Sequence, residues 1–264
     1  MVKEFKDLNY WALILGGSSG LGLATARKLA QHGMNIIIIH RDRKSEMDDI
    51  EEAFEEIRNS DVRLESFNVD AIQKDKRGNL IDEISKILAA KGRIRTLVHS
   101  IAKGNLKPIT GEGEVLKNID FQLTLDAMAL SLYDWTQAVF QANLFAKDAR
   151  VISFTSEGNQ KAWANYAAVS VAKVAMESIT RSMALEYAPY GIRANCIQAG
   201  VTVTRSFQLI PGSETLKDHA LKRNPFRRLT VPKDVANVVY LLSKDEACWI
   251  TGTIIPVNGG EHLK

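Results

Sequence analysis

Tyr166 and Lys173 form the pairing of side chains in this sequence that most suggests chemistry. Six residues separate them in the segment NYAAVSVAK, so on an α-helix they lie two turns apart on the same face. An ammonium group beside a phenol favours the phenolate, which lets the tyrosine give up a proton near neutral pH. Most such pairs in proteins are a packed ring and a solvated amine. The surrounding motifs must therefore decide between the two interpretations.

The segment GGSSGLG, from Gly16 to Gly22, has the residue types and spacing of a dinucleotide-binding loop. It follows a short apolar run and opens a helical pattern, and its glycines are spaced G-x-x-x-G-x-G. Such glycines allow a tight turn and a close approach of the backbone to a pyrophosphate, while the following helix supplies amide hydrogens and the positive end of its dipole. The predicted contacts of this loop are Gly16, Ser18, Ser19, Gly20, Leu21 and Gly22.

The end of the second predicted strand bears on which dinucleotide binds. An NAD site usually carries a carboxylate there for the ribose 2′-hydroxyl, whereas arginine suits a 2′-phosphate. The expected position is His40 or Arg41, and Asp42 lies one or two residues too late. Arg41 and Arg43 therefore favour NADPH over NADH, although two arginines on a solvated loop would give the same sequence.

Short apolar, β-branched runs alternate with helical patterns along the whole chain. We predict strands at residues 11–15, 35–39, 62–67, 96–99, 150–154, 193–198 and 253–256. We predict helices at residues 21–32, 45–59, 75–90, 120–146, 166–188 and 232–242. This alternation predicts an α/β Rossmann fold over residues 1–264 as a single domain, with a doubly wound seven-stranded parallel sheet and helices on both faces. The irregular segments 103–117 and 202–228 leave carboxyl ends of strands, so they are expected to wall a substrate pocket.

Composition narrows the class of protein. The chain has 264 residues, of which 45% are hydrophobic and 25% charged, and its net charge of +3 argues against a nucleic-acid partner. Cys196 and Cys248 lack metal-ligand spacing, so we expect free thiols and no metal site. No apolar run approaches the roughly 18 residues that span a membrane, and the N-terminal run leads into the glycine loop rather than a cleavage site. We therefore expect a cytoplasmic protein without a membrane partner.

These motifs together resemble the short-chain dehydrogenase/reductase family over essentially the whole chain. LGGSSGLG is similar to the family's T-G-x-x-x-G-x-G, with Leu15 in place of the threonine. Asn68 and Val69 lie where the family has an Asp-Val pair that contacts adenine. The carboxyl-terminal ITGTIIPVNGG resembles the family's last strand and closing glycines.

The position of the tyrosine resembles one branch of that family. The commonest signature is Tyr-x-x-x-Lys, whose tyrosine would fall at Val169, whereas Tyr166 lies one turn earlier, as in the enoyl-acyl-carrier-protein reductases. His99-Ser100-Ile101-Ala102 resembles that branch's H-S-I-G/A, and AGVTVT resembles its A-G-P-I-x-T. The cofactor contacts that the resemblance adds are Ser100, Ile101, Ala102, Lys173, Gly200, Val201, Thr202 and Thr204.

Other positions resemble the wider family instead. Ser156, ten residues before Tyr166, stands where the best-known enoyl reductases carry a second tyrosine and the wider family its catalytic serine. Met128 replaces the asparagine of the wider family's catalytic tetrad. The combination most resembles the NADPH-dependent type III enoyl reductases. It implies reduction of the trans-2 double bond of an enoyl thioester in fatty-acid synthesis, with Tyr166, Lys173 and Ser156 as catalytic residues.

The displaced tyrosine is compatible with an enoyl substrate. Hydride addition at the β-carbon places negative charge on an oxygen that is farther away, by on the order of 2–3 Å, than the oxygen of a ketone. Moving the tyrosine back three residues shifts its anchor by about 4.5 Å along the helix. Tyr166 would then stabilise the enolate oxygen, Lys173 would bind the nicotinamide ribose, and Ser156 would add a second donor.

The resemblance also implies partners. The acyl thioester is expected on an acidic acyl carrier protein, and family members are commonly homotetramers joined through the long helices and the carboxyl end. Apolar residues of the 202–228 segment that could form an acyl slot are Phe207, Leu209 and Ile210. A basic cluster that could dock the carrier, or equally be a solvated face, consists of Lys222, Arg223, Arg227 and Arg228.

Two alternative functions stay open. A 3-oxoacyl-acyl-carrier-protein reductase or other carbonyl reductase of the same family is favoured by Ser156 and the general glycine motif, and opposed by the Tyr-x6-Lys spacing and HSIA. A cofactor-binding sensor or scaffold without turnover is opposed by the intact pair of Tyr166 and Lys173.

Overall fold

The carboxyl ends of seven parallel strands form the edge on which the predicted site residues converge. The computed structural model describes residues 2–264. The strands are β1 Tyr10–Leu15, β2 Asn35–His40, β3 Leu64–Asn68, β4 Arg93–His99, β5 Phe145–Ser156, β6 Ile192–Ala199 and β7 Ile254–Val257. Their order is β3-β2-β1-β4-β5-β6-β7, and every pair is parallel. The order reverses between β1 and β4, the crevice at which such sheets bind ligands.

Helices cover both faces of this sheet. They are α1 Gly20–Gln31, α2 Met47–Arg58, α3 Lys74–Leu88, α4 Asn118–Leu125, α5 Ser131–Gln141, α6 Ala167–Glu186, α7 Arg205–Gln208, α8 Ser213–Arg223 and α9 Pro232–Ser243. One core lies between the sheet and α1, α2 and α9, and the other lies between the sheet and α3, α5 and α6. Successive residues of β1 alternate between them, so that Leu13 joins one core and Ile14 the other. This confirms the predicted doubly wound Rossmann fold.

The helix predicted at 120–146 is wrong at its carboxyl end. Its first part is α4, a π-helical segment, Asp126–Leu130, follows, and α5 then ends at Gln141. Asn143 adopts a positive φ of 54°, and the N–H of Leu144 bonds the carbonyl of Val139, which closes the helix. The segment after it, which reads as helical in the sequence, begins β5 instead.

The segments expected to wall the pocket differ in structure. Residues 103–117 contain no helix or strand, as predicted. The sequence predicts that residues 202–228 are irregular, but they contain α7 and α8. Thr204 caps α7, because its Oγ1 accepts a hydrogen bond of 3.2 Å from the N–H of Phe207. Among residues 2–264, no helix is both long and apolar enough to cross a bilayer.

Candidate active site

A cleft of about 840 Å³ lies beyond the carboxyl ends of the strands and collects nearly all of the predicted site residues. Those that line it are Gly16, Ser18, Ser19, Gly20, Leu21, Arg41, Arg43, Val69, Ser100, Ile101, Ala102, Ser156, Tyr166, Lys173, Gly200, Val201, Thr202 and Thr204. Gly22 and Asn68 do not line it. Residues more than 180 positions apart in the sequence therefore share one cavity, as the topology predicts.

The glycine loop is built by close backbone contacts. Gly16 has a φ of 82°, and a Cβ there would lie 2.6 Å from the carbonyl oxygen of Ser100 at the end of β4. A Cβ at Gly22 would overlap the carbonyl oxygen of Gly16. Gly16 therefore lets the loop dock on β4, while Gly22 lets α1 approach the loop from behind. This explains why Gly22 lies outside the cleft although the motif requires it.

The amino-terminal end of α1 opens on the cleft. Ser19 is its N-cap residue, and Ser18, Ser19, Gly20 and Leu21 all line the cavity. The first turn, GLGL, is uncharged, so the backbone amides and the dipole of α1 are left to favour an anion. The residues present at this end fit the pyrophosphate of a dinucleotide.

Charged side chains surround the other end of the cofactor half. Arg41 Nη1 lies 3.2 Å from Asp70 Oδ2, and Lys103 Nζ lies 3.4 Å from the same oxygen. Burial raises the pKa of Asp70, but the hydrogen bond from the N–H of Ile72 and the two cations outweigh burial, so its pKa is lowered. Asp70 is therefore an anion that partly neutralises Arg41. No sequence motif singles out Asp70, because only the folded chain brings it to Arg41 and Lys103, 29 and 33 positions away.

Asn68 shapes the loop after β2 from behind. Its Oδ1 accepts a hydrogen bond of 3.1 Å from the N–H of Asp42, and its Nδ2 donates one of 3.1 Å to the carbonyl of Asp42. His40 Nδ1 lies 2.8 Å from Asp42 Oδ2. These contacts fix the backbone that carries Arg41 and Arg43. The side-chain amide of Asn68 is thus hydrogen-bonded to the loop. The adenine contact expected of Asn68 stays a prediction.

Tyr166 and Ser156 place two hydroxyl groups together in the cleft. Tyr166 is the N-cap residue of α6, its side chain is buried, and its Oη lies 3.3 Å from Ser156 Oγ. Burial raises the pKa of Tyr166, and the hydrogen bond with Ser156 only partly opposes this. The expectation that the ammonium of Lys173 would let Tyr166 give up a proton near neutral pH is therefore wrong. Tyr166 is a neutral hydrogen-bond donor.

Lys173 is buried and lines the same cleft as the hydroxyl pair. Its Nζ donates a hydrogen bond of 2.5 Å to the carbonyl of Phe154, near the end of β5. Burial lowers the pKa of Lys173 to about 8, although Cys196 and Glu177 act in the opposite direction. At neutral pH Lys173 therefore keeps its positive charge, with little margin. No salt bridge to it occurs among residues 2–264, which leaves its remaining protons to a ligand.

His99, the first residue of HSIA, is a neutral structural group. Its Nε2 lies 2.7 Å from Ser131 Oγ, and this hydroxyl donates to the carbonyl of Ala127. Complete burial lowers the pKa of His99 to about 3, and the charge of Lys173 adds to this effect. His99 therefore links β4 to the π-helical segment and does not titrate at physiological pH.

The substrate half of the cleft is apolar around the tyrosine. Tyr166 packs in one cluster with Met128 and Val169, and the ring of Trp163 lies 5.2 Å from the tyrosine ring. Met128 belongs to the π-helical segment, so a thioether occupies the place where the resemblance implies an asparagine in other relatives. Val169 lines the cavity one turn after Tyr166. The cavity can therefore exclude water from a reacting group next to the hydroxyl pair.

The predicted acyl slot is brought to the cleft as well. Phe207, Leu209 and Ile210 all line it. Phe207 is buried and Ile210 packs against the cluster around Tyr166, whereas Leu209 is 71% exposed. The inner two residues therefore extend the apolar wall, and Leu209 stands at its rim.

The basic cluster of the sequence is partly neutralised. Arg223 Nη2 lies 2.6 Å from Glu157 and 3.0 Å from Glu261, and Arg228 lies 2.6 Å from Asp234. Burial raises the pKa of Glu261, which the charge of Arg223 only partly offsets. Two of the four cations thus hold carboxylates of this chain, two of which line the cleft. The two ion pairs of Arg223 span 66 and 38 residues, so no local motif could have predicted them, whereas Arg228 and Asp234 lie six residues apart.

The sequence is similar to a family of known proteins over nearly its whole length. A family model described as "Enoyl-(Acyl carrier protein) reductase" matches residues 16–262. The chain is 30% identical over 263 residues to 3-oxoacyl-[acyl-carrier-protein] reductase of Staphylococcus epidermidis, which covers 97% of this chain and 100% of that relative.

Solved structures of the same fold cover nearly the whole chain. The enoyl-[acyl-carrier-protein] reductase (NADH) of Aquifex aeolicus has a TM-score of 0.83 at 23% identity, covering 97% of each chain. A short chain dehydrogenase of Burkholderia cenocepacia, solved in complex with NADP, has a TM-score of 0.82 at 22% identity, covering 98% of this chain and 99% of its own. At these identities the likeness shows the fold alone.

Proposed function

The chain belongs to the short-chain dehydrogenase/reductase family of oxidoreductases, and we propose that it reduces the trans-2 double bond of an enoyl thioester with NADPH. The observation that carries this proposal is the position of Tyr166. Its neutral hydroxyl lies in the cleft one turn before Val169, the position at which the family's common signature has its tyrosine. A donor set back in this way suits an oxygen that lies beyond the carbon receiving the hydride.

The residues present fit a nicotinamide cofactor. The glycine loop and the amino-terminal end of α1 would hold the pyrophosphate, and Arg41 and Arg43 would meet the 2′-phosphate. Lys173 would donate to the nicotinamide ribose with the protons that Phe154 leaves free. When bound, the cofactor supplies the hydride.

The side chains of the chain then manage the negative charge. As the β-carbon of the thioester receives hydride, its carbonyl oxygen becomes an enolate oxygen, and the Tyr166 hydroxyl donates a hydrogen bond to it. Ser156 Oγ, at 3.3 Å, orients this hydroxyl. The buried ammonium of Lys173 favours negative charge nearby, and the apolar wall formed by Met128 and Val169 keeps the local dielectric low. Tyr166 then gives its proton to the enolate oxygen and regains one from solvent, and the enol tautomerises so that the proton ends on the α-carbon and the carbonyl double bond re-forms.

The second candidate is a carbonyl reductase acting on 3-oxoacyl thioesters. The contact between Ser156 and Tyr166 favours it, because two adjacent hydroxyls can both bind the oxygen of one carbonyl group. The relative from Staphylococcus epidermidis carries the name of that activity. The two candidates differ in which carbon receives hydride, so a substrate panel separates them.

The test compares crotonyl and acetoacetyl thioesters by following NADPH absorbance. We expect the kcat/KM for the crotonyl thioester to be at least about ten times that for the acetoacetyl thioester. Tyr166→Phe should lower kcat by roughly 100-fold or more while the Kd for NADPH is unchanged. Tyr190→Phe, at an exposed tyrosine, is the matched control and should be fully active. Preference for acetoacetyl thioester would establish the second candidate instead.

We also propose that an acidic acyl carrier protein delivers the substrate. Lys222 and Arg227 are the members of the basic cluster that are not engaged with Glu157, Glu261 or Asp234 among residues 2–264. Reversing both charges should raise the KM for carrier-bound substrate and leave the KM for a short thioester unchanged. Equal effects on both KM values would oppose docking at this surface.

A homotetramer is proposed for the assembled protein. Helices α4 and α6 expose apolar side chains that a neighbouring subunit would cover, among them Leu123, Val171 and Leu185. Light scattering on the eluting protein measures the mass directly. A monomer at micromolar concentration would refute the proposal without affecting the assignment of activity.

A further inference from the structure

Arg205, the first residue of α7, reaches the cofactor end of the cleft from the substrate segment. Its Nη1 lies 2.9 Å from Glu46 Oε1 and 3.9 Å from Asp42 Oδ1. All three residues line the cleft. Asp42 and Glu46 follow β2, whereas Arg205 follows β6, so the ion pair joins opposite sides of the cavity.

The path of the chain places Arg205 above the glycine loop. The residue before it, Thr204, faces Gly20: a Cβ built on Gly20 would lie 3.4 Å from Thr204 Cγ2. From this position the Arg205 side chain extends past the loop to Glu46. A ligand that lies along the loop and ends near β2 would therefore lie close to this guanidinium.

The ion pair between Arg205 and Glu46 is weak enough for a phosphate to replace the carboxylate. Its side chain is 61% exposed, and an exposed ion pair is worth about 1 kcal/mol or less. A guanidinium binds a phosphate through stronger, charge-assisted and often bidentate bonds. Arg41 already shares Asp70 with Lys103. A phosphate dianion at this end would therefore compete with Glu46 for Arg205.

We propose that Arg205 is a specificity-determining residue for the 2′-phosphate of NADPH, which takes this guanidinium from Glu46. The inference rests on the proposed use of NADPH and goes beyond the two arginines that follow β2. The exchange would also affect the substrate half of the cleft, because Arg205 begins the segment that carries Phe207 and Ile210 into the apolar wall. Binding of the phosphate would tie that wall to the cofactor.

The first experiment measures the Kd of the full-length protein for NADPH and for NADH by the fluorescence of the reduced nicotinamide. Arg205→Ala should raise the Kd for NADPH about tenfold and change that for NADH less than twofold. Arg228→Ala is the matched control, since Arg228 is 59% exposed, is also paired with a carboxylate and lies outside this cleft. If Arg205→Ala leaves the ratio of the two Kd values unchanged, or raises the Kd for NADPH and for NADH equally, the assignment to the 2′-phosphate is overturned.

The second experiment tests the exchange itself. Glu46→Gln retains an acceptor for the N–H of Arg43 but removes the competing charge. It should lower the Kd for NADPH several-fold in the wild-type background and by less in Arg205→Ala. Equal gains in both backgrounds would mean that Glu46 acts on the phosphate directly, against the inference. A wild-type protein that prefers NADH would instead refute the proposed cofactor, so the two failures are distinguishable.

Discussion

Raising the pH from 7 to 9 should lower the activity of this protein about tenfold by removing most of the charge of Lys173. Burial lowers the pKa of this ammonium from 10.5 to about 8. Its protonated fraction then falls from about 0.9 at pH 7 to about 0.1 at pH 9. If the charge supports catalysis, kcat/KM should fall about tenfold, whereas a lysine of ordinary pKa would lose almost nothing in this range.

The titratable groups around Lys173 do not change their charge between pH 7 and 9. The pKa of Tyr166 and that of Cys196 are both raised, mainly by burial, and that of His99 is lowered to about 3. None of these three groups therefore titrates between pH 7 and 9. Glu177, the other charged group that faces Lys173, raises the pKa of the ammonium.

The assay is kcat/KM for NADPH at saturating enoyl thioester, which reports the ionisation of the enzyme before it binds the cofactor. Lys173→Arg should move the alkaline limb beyond pH 9, because the guanidinium stays charged. Glu177→Gln should move the limb below pH 8, since a carboxylate that favours the ammonium is lost. A profile that is flat from pH 7 to 9, or a limb that moves upward in Glu177→Gln, would refute the reasoning.

The lowered pKa of Lys173 also makes the free energy of unfolding depend on pH. Because the folded pKa is lowered, the unfolded chain holds a proton that the folded protein lacks between about pH 8 and 10.5. The free energy of unfolding gains a contribution as the pH rises through this window, up to about 3 kcal/mol at about 1.4 kcal/mol per unit. Lys173→Met should lack this contribution, which urea unfolding of both proteins at pH 7.5 and 10 would reveal. Parallel pH dependence in the two proteins would contradict it.

Two further substitutions test the architecture of the cleft. Gly22→Ala should weaken NADPH binding more than tenfold and lower the Tm, because the new methyl overlaps the carbonyl of Gly16; Gly78→Ala, in α3 with open space around it, should be neutral or stabilising by up to about 1 kcal/mol. Arg223→Leu should lower the free energy of unfolding by about 3 kcal/mol, because buried carboxylates lose their counter-charge, and adding Glu261→Gln should restore part of it. Unchanged urea midpoints would contradict the second expectation.

Local pattern and topology were enough to predict much of this site. The glycine spacing, the alternation of strands with helices and the right-handed crossovers of parallel sheets place the loop, HSIA and Tyr166 at one edge without further information. These features depend on residues close in sequence or on rules that hold for any such sheet. The same rules could not predict the end of α5, where a left-handed Asn143 turns an apparently helical segment into β5.

The tertiary structure alone decided the electrostatics. Arg205 meets Glu46 across 159 positions, and Arg223 meets Glu157 across 66, so neither pair leaves a mark in the local sequence. The protonation of Tyr166 was also beyond reach, because the sequence shows a cation seven residues away but not the burial that raises the pKa of the phenol. Spacing along a helix determines which groups can meet. Their charge states depend on solvent exclusion and on partners from distant strands, and these exist only in the folded chain.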